Sequence, residues 1–167
     1  MKIAMLDFDG VVTNYYEEIG SYVTYEPAFY GPSPSCVQRL RNLCEETGAR
    51  ILISSNWRKF DEDGKCSFWT HPKYQRTVQN PLPKLKEQIG DLIIGTIPRI
   101  RHVTKTEAIK KWFEENEVDE DFRYVILDDD KNEGLQDDEV FKEHFILTNP
   151  EIGFSDADYK KVLKILA

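Results

Sequence analysis

Apolar positions along this chain fall into two alternating patterns. Short unbroken apolar runs stand at 2–6, 51–53, 92–94, 124–127 and 145–147. Each is too brief for a helix and is bounded by polar or turn residues, as buried strands are. Between them, apolar residues recur three and four positions apart. Val37, Leu40 and Cys44 form one such stripe, behind Ser33 as N-cap and Pro34 at the first helical position, with Gly48 as the stop. Residues 83–89 predict a short helix. Ala108, Ile109, Trp112 and Phe113 define another, opened by a capping box from Thr104 to Glu107. Ser155 caps a last helix carrying Val162, Leu163 and Leu166. Strand–helix alternation at this spacing predicts a mainly parallel sheet covered on both faces. The expected fold class is therefore α/β, a Rossmann-like three-layer α/β/α arrangement with about five strands.

Two stretches lack a period. Residues 14–32 are rich in Tyr, Glu and Gly, and residues 59–81 mix charges with Phe60, Phe68, Trp69 and Tyr74. Both are expected as flaps over a site at the carboxyl ends of the strands, leaving at most a minimal cap on a single domain spanning 1–167. A hydrophobic share of 40% and an aromatic share of 12% suffice for a core, which excludes wholesale disorder. No apolar run approaches the roughly 20 residues that span a bilayer, and the first residues turn acidic at Asp7 instead of forming a secretion signal. A cytoplasmic protein with no membrane partner is expected. Cys36, Cys44 and Cys66 make no disulfide framework, and His71, His102 and His144 lack zinc spacing. The net charge of −8 argues against a broad duplex-binding face, though not against a small basic pocket for one phosphate.

The chemistry sits where strands end. The first run delivers Asp7-Phe8-Asp9-Gly10, two carboxylates two residues apart in a turn with glycine. The fourth ends in Asp128-Asp129-Asp130, and the second in Ser54-Ser55-Asn56. Ligand sites of open α/β sheets lie just beyond such ends. Adjacent acids repel unless a positive charge sits among them. A hard divalent cation would supply it, and Lys105 is a second candidate. An isolated Asp-x-Asp pair is most often a turn or cap; two acid sites after two apolar strands, with a serine loop after a third, are harder to explain that way. The set has the parts for phosphoryl transfer: an Asp nucleophile, a second acid to move protons, Mg²⁺ to take up charge, and Ser and Lys to hold oxygens.

These residues resemble the four motifs of the haloacid dehalogenase (HAD) superfamily of phosphohydrolases over nearly the whole chain. Asp7-Phe8-Asp9-Gly10-Val11-Val12 resembles the first motif, Ile51-Leu52-Ile53-Ser54-Ser55 the second, Lys105 the third, and Val125-Ile126-Leu127-Asp128-Asp129 the fourth. A narrower likeness, to the HAD domains of RNA-repair multienzyme proteins, rests on Ser54-Ser55-Asn56-Trp57-Arg58, Gly95-Thr96-Ile97-Pro98, Lys105 to Ile109 with Trp112, and Gly153-Phe154-Ser155-Asp156. That group often has Arg where this chain has Lys105, a change that keeps charge and loses a planar fork.

The resemblance implies Asp7 as nucleophile, Asp9 as general acid/base, and Lys105 with Ser54, Ser55 and Asn56 on the substrate phosphate. It implies Mg²⁺ held by Asp7, by the Asp9 carbonyl and by Asp129, with Asp128 as a further ligand or its partner. Either serine could fill the second-motif role. The implied strand order has the Asp7 strand in the middle, between those carrying Ser54 and Asp129. The implied activity is a phosphatase acting on a nucleotide, another small phosphate ester or a nucleic-acid end. The alternative is a phosphate-binding or regulatory module without turnover, which intact Asp7 and Asp9 oppose. Trp57 reads as packing, Arg58 as a phosphate contact or a surface ion pair, and Tyr15, Tyr16, Tyr22, Tyr25, Phe29 and Tyr30 as flap residues that could stack a base. Asp130, Asp137 and Asp138 read as solvated acids.

Overall fold

A computed structural model describes residues 1–13, 32–59, 81–100, 102–116, 118 and 121–167, with backbone only at 58 and 59. Both expected flaps lie outside the described residues except at their ends, as do Cys66 and His71. Five strands form one sheet: β1 Lys2–Leu6, β2 Arg50–Ile53, β3 Ile93–Thr96, β4 Arg123–Asp128 and β5 Phe145–Leu147. Their order is β3-β2-β1-β4-β5, and every adjacent pair is parallel. The Asp7 strand is thus central, as the resemblance implies. With both faces covered, β1 needs no polar face, and Ile3, Ala4, Met5 and Leu6 are fully buried.

Strand alternation assigns these side chains to two layers. Ala4, Leu6, Ile51, Ile53, Val125 and Leu127 share one apolar cluster. It is covered by α1 Pro34–Thr47, α2 Leu82–Ile89 and α4 Asp156–Leu166, through residues such as Leu40, Leu85 and Val162. Ile3, Met5, Leu52 and Ile126 face the other way, onto Ala108 and Ile109 of α3 Lys105–Glu115 and onto Phe122 and Phe141.

Local signals set the helix ends. The Ser33 hydroxyl accepts from the Cys36 N–H, and Gly48 closes α1 in the left-handed region at φ 72°. The expected capping box of Thr104 and Glu107 is present, and a second one joins Ser155 to Asp158. The third strand differs slightly from expectation. A 3-10 turn occupies Gly90–Leu92, so β3 starts at Ile93. Gly90 stays in helical geometry with its N–H on the Lys86 carbonyl, which tightens the chain before it extends. Cys36 and Cys44 are buried free thiols. Among the described residues no helix is long and apolar enough to cross a membrane.

Candidate active site

The backbone ladder runs on past the strands. Asp7 N–H donates to the Leu127 carbonyl at 3.0 Å, Ser54 N–H to Leu6 at 2.8 Å, and Thr148 N–H to Asp128 at 2.9 Å. The residues after β1, β2, β4 and β5 therefore reach one edge of the sheet in register. The chain leaves β1 for β2 and β3 on one side, then returns to β4 on the other. That reversal opens a crevice between β1 and β4, where α/β sheets bind ligands.

Asp7, Asp128 and Asp129 meet in this crevice. Each presents a carboxylate oxygen, and the three oxygens lie within 4.8 Å of one another. Lys105, at the first turn of α3, reaches into the same place. Its side chain is only 1% exposed, and Nζ lies 2.5 Å from Asp128 Oδ2 and 3.6 Å from Asp7 Oδ2. Burial works against the Lys105 ammonium, but Asp7 and Asp128 outweigh it and hold its pKa above the usual lysine value. Burial and then the neighbouring Asp7 push Asp128 up to about 6, against the pull of Lys105. Burial, Asp7 and Asp9 likewise push Asp129 to about 6. One buried ammonium does not compensate this much negative charge. An all-oxygen donor set with charge in excess fits a hard divalent cation of the magnesium or calcium type.

The turn after β1 is built to admit Asp129. Gly10 sits at φ 63°, and a Cβ there would lie 2.3 Å from Asp129 Oδ2. The turn is held from inside by the N–H groups of Val11, Val12 and Thr13 on the Phe8 carbonyl, and by Gly10 N–H on Thr13 Oγ1. It is held from outside by the segment after β5. Thr148 Oγ1 donates to the Gly10 carbonyl at 2.8 Å, and Phe154 N–H to the Val11 carbonyl at 2.8 Å. Gly153, at φ 65°, allows that approach, since a Cβ would come 2.8 Å from the Thr13 carbonyl and 2.9 Å from that of Val11.

Ser54 and Ser55 are both buried at the end of β2. Ser55 Oγ accepts from the Trp57 N–H at 3.2 Å, which folds the loop into the 3-10 turn Asn56–Lys59. Asn56 is exposed, its amide 3.5 Å from Glu133 Oε1. The Trp57 indole Nε1–H donates to Asp9 Oδ2 at 2.6 Å. Glu133 also takes the Lys105 backbone N–H at 3.2 Å, and Thr106 donates to its carbonyl, so it fastens the start of α3. A cavity of about 660 Å³ opens beside Asp129 and is lined further by Lys131, Asn132, Thr148 and Asn149.

Of the predicted residues, the structure brings Asp7, Lys105, Asp128 and Asp129 together in one crevice. Asp9 lies on the turn after β1, bonded to Trp57. Ser54 and Ser55 are buried at the end of β2, and Asn56 is exposed. Three contributors were missed: Glu133, Thr148 and the polar end of Trp57. None carries a local signal, because each acts on a residue far away in sequence. Asp138 departs from its expected solvated state. It is paired with Lys110 at 2.5 Å, and its side chain is 14% exposed. Nothing is described of the Arg58 side chain.

Residues 3–159 match the family described as the HAD domain in Swiss Army Knife RNA repair proteins. No curated protein and no solved structure matches the chain.

Proposed function

We propose, from the premise that this chain belongs to the HAD domain family of Swiss Army Knife RNA repair proteins, that it is a Mg²⁺-dependent phosphatase working through an aspartyl-phosphate on Asp7. Membership supports a hydrolase of the phosphatase type. One observation carries the finer reading: Asp7, at the end of the central strand, shares its crevice with Asp128, Asp129 and the buried Lys105 ammonium.

In the first step an Asp7 oxygen attacks phosphorus while the ester P–O bond breaks, and Asp9 protonates the leaving oxygen. In the second, Asp9 takes a proton from water as the water oxygen attacks phosphorus. The bond from phosphorus to Asp7 breaks, inorganic phosphate leaves, and the carboxylate is restored. Lys105 stays charged throughout and attracts the phosphate oxygens. Ser54 follows Leu52 in strand alternation, and Leu52 packs in the same layer as Met5, which precedes Asp7 by two residues. We therefore assign the phosphate to Ser54 and the turn to Ser55. Asn56 takes a place at the rim. Asp7 and Asp129, with the Asp9 carbonyl, would hold Mg²⁺, and Asp128 supports the site through its pairing with Lys105. When bound there, Mg²⁺ would supply positive charge against the oxygens of the transferred group.

The substrate class we favour is a nucleotide or a nucleic-acid end. The cavity beside Asp129 has the size of a small-ligand site and carries amide and ammonium groups suited to a polar leaving group. The test is Mg²⁺-dependent release of inorganic phosphate from nucleoside monophosphates and end-phosphorylated oligonucleotides, by the wild type and Asp7→Asn. We expect turnover only with Asp7, and one added phosphoryl group on the peptide carrying Asp7 after acid quench. Turnover that survives Asp7→Asn, or none across the panel, would reject the reading.

A further inference from the structure

Trp57 lies in the turn after β2, is 9% exposed, and packs in the apolar cluster that also holds Phe8, Val11 and Val12. For packing alone a phenyl ring would serve. What the indole adds is Nε1–H, aimed across 48 residues of sequence at Asp9 Oδ2. A buried indole N–H needs an acceptor. Here the acceptor is the carboxylate two positions after Asp7, on a loop with many backbone carbonyls.

We propose that Trp57 is a positioning residue for proton transfer: its indole N–H holds the Asp9 carboxyl in one orientation for the exchange. This rests on the assignment of Asp9 as general acid/base. An indole nitrogen is a donor only. Oδ2 therefore accepts from the indole whether Asp9 is protonated or ionised, and because a carbonyl oxygen accepts better than a hydroxyl oxygen, the contact disfavours a proton on Oδ2. A terminal carboxyl torsion is broad, so without the indole the carboxyl plane would rotate through a wide range. With it, one oxygen is anchored and the plane of the carboxyl is set for proton exchange. Trp57 touches no reacting atom itself, and links the serine loop after β2 to the acid after β1.

The test compares leaving groups. A nitrophenolate departs with little need of a proton, whereas a nucleoside alkoxide requires one. Trp57→Phe keeps the ring and removes the donor. We expect its loss in kcat to be at least ~10-fold greater for a nucleoside monophosphate than for nitrophenyl phosphate, with KM little changed, in line with the 10²–10⁴-fold range of general acid catalysis. Asp9→Asn should show the same split, and the double variant should be no worse than Asp9→Asn alone. Equal losses on both esters, or no loss on the nucleoside ester, would overturn the proposal. A second readout needs no turnover. The indole ¹⁵N–H signal missing from Trp57→Phe identifies Trp57, and it should move in Asp9→Asn; an unmoved signal would equally overturn the contact. Absence of any Asp7-dependent turnover would instead reject the phosphatase reading, so the two failures are distinguishable.

Discussion

Replacing Gly10 by alanine puts a methyl group where the Asp129 side chain stands. An ideal Cβ at position 10 would lie 2.3 Å from Asp129 Oδ2, 2.5 Å from Cγ and 2.8 Å from Cβ. The last contact cannot be relieved by rotating the carboxylate, so the backbone of one turn must give. Alanine would also be held at φ 63°, which costs an L-residue roughly 1–2 kcal/mol. Overpacking of this kind typically adds about 1–3 kcal/mol. We expect Gly10→Ala to lower unfolding free energy by about 2–5 kcal/mol, measured by urea denaturation in EDTA with circular dichroism. A double-mutant cycle separates the two contributions. In an Asp129→Gly background the steric part vanishes and only the dihedral part remains, so a coupling of roughly 1–3 kcal/mol should appear. The variant should also lose any Mg²⁺-induced rise in Tm that the wild type shows. Coupling within about 0.5 kcal/mol of zero would refute the close approach of the two loops.

Further outcomes follow from the crowded charges and the caps. Asp128 and Asp129 have folded-state pKa values raised from 3.8 to about 6. They bind protons more tightly folded than unfolded, so their contribution is full below pH 3.8 and is lost as pH rises through about 6. Between those limits, metal-free wild type should lose roughly 1–2 kcal/mol relative to Asp129→Asn, because solvent screens a half-buried carboxylate; parallel urea-stability curves would contradict this. Lys105→Met removes the ammonium from between Asp7 and Asp128. It should cost about 3–5 kcal/mol near pH 7 and less near pH 5, where Asp128 can take up a proton instead; a variant as stable as wild type at both would refute the pairing. Ser155→Ala should remove about 0.5–2 kcal/mol through loss of the cap on α4, read as a lower Tm, and an unchanged Tm would count against the box seen with Asp158.

Much of this architecture is written in short-range patterns. Ser33 with Pro34, Gly48, and Thr104 with Glu107 act within one helical turn of their own position, so their identity alone predicts the boundary they form. The runs at 2–6, 124–127 and 145–147 lie in β1, β4 and β5, because a strand buried on both faces has to be apolar throughout. Asp7, Lys105, Asp128 and Asp129 were legible for a related reason, as charges standing where apolar strands end or a helix begins.

What no local pattern contains is the register between distant segments. Gly10 signals a turn, but only the pairing of β1 with β4 brings Asp129 against it. Trp57 looks like core, and its N–H meets Asp9 only once β2 lies beside β1. Glu133 and Thr148 look like ordinary loop residues until folding sets one under α3 and the other on the Gly10 carbonyl. Residue types and spacing determined which elements form and which side chains carry charge. Strand order and packing decided which of those charges share one crevice, because an electrostatic or hydrogen-bonded contact depends on distance in space, and chain separation does not specify that.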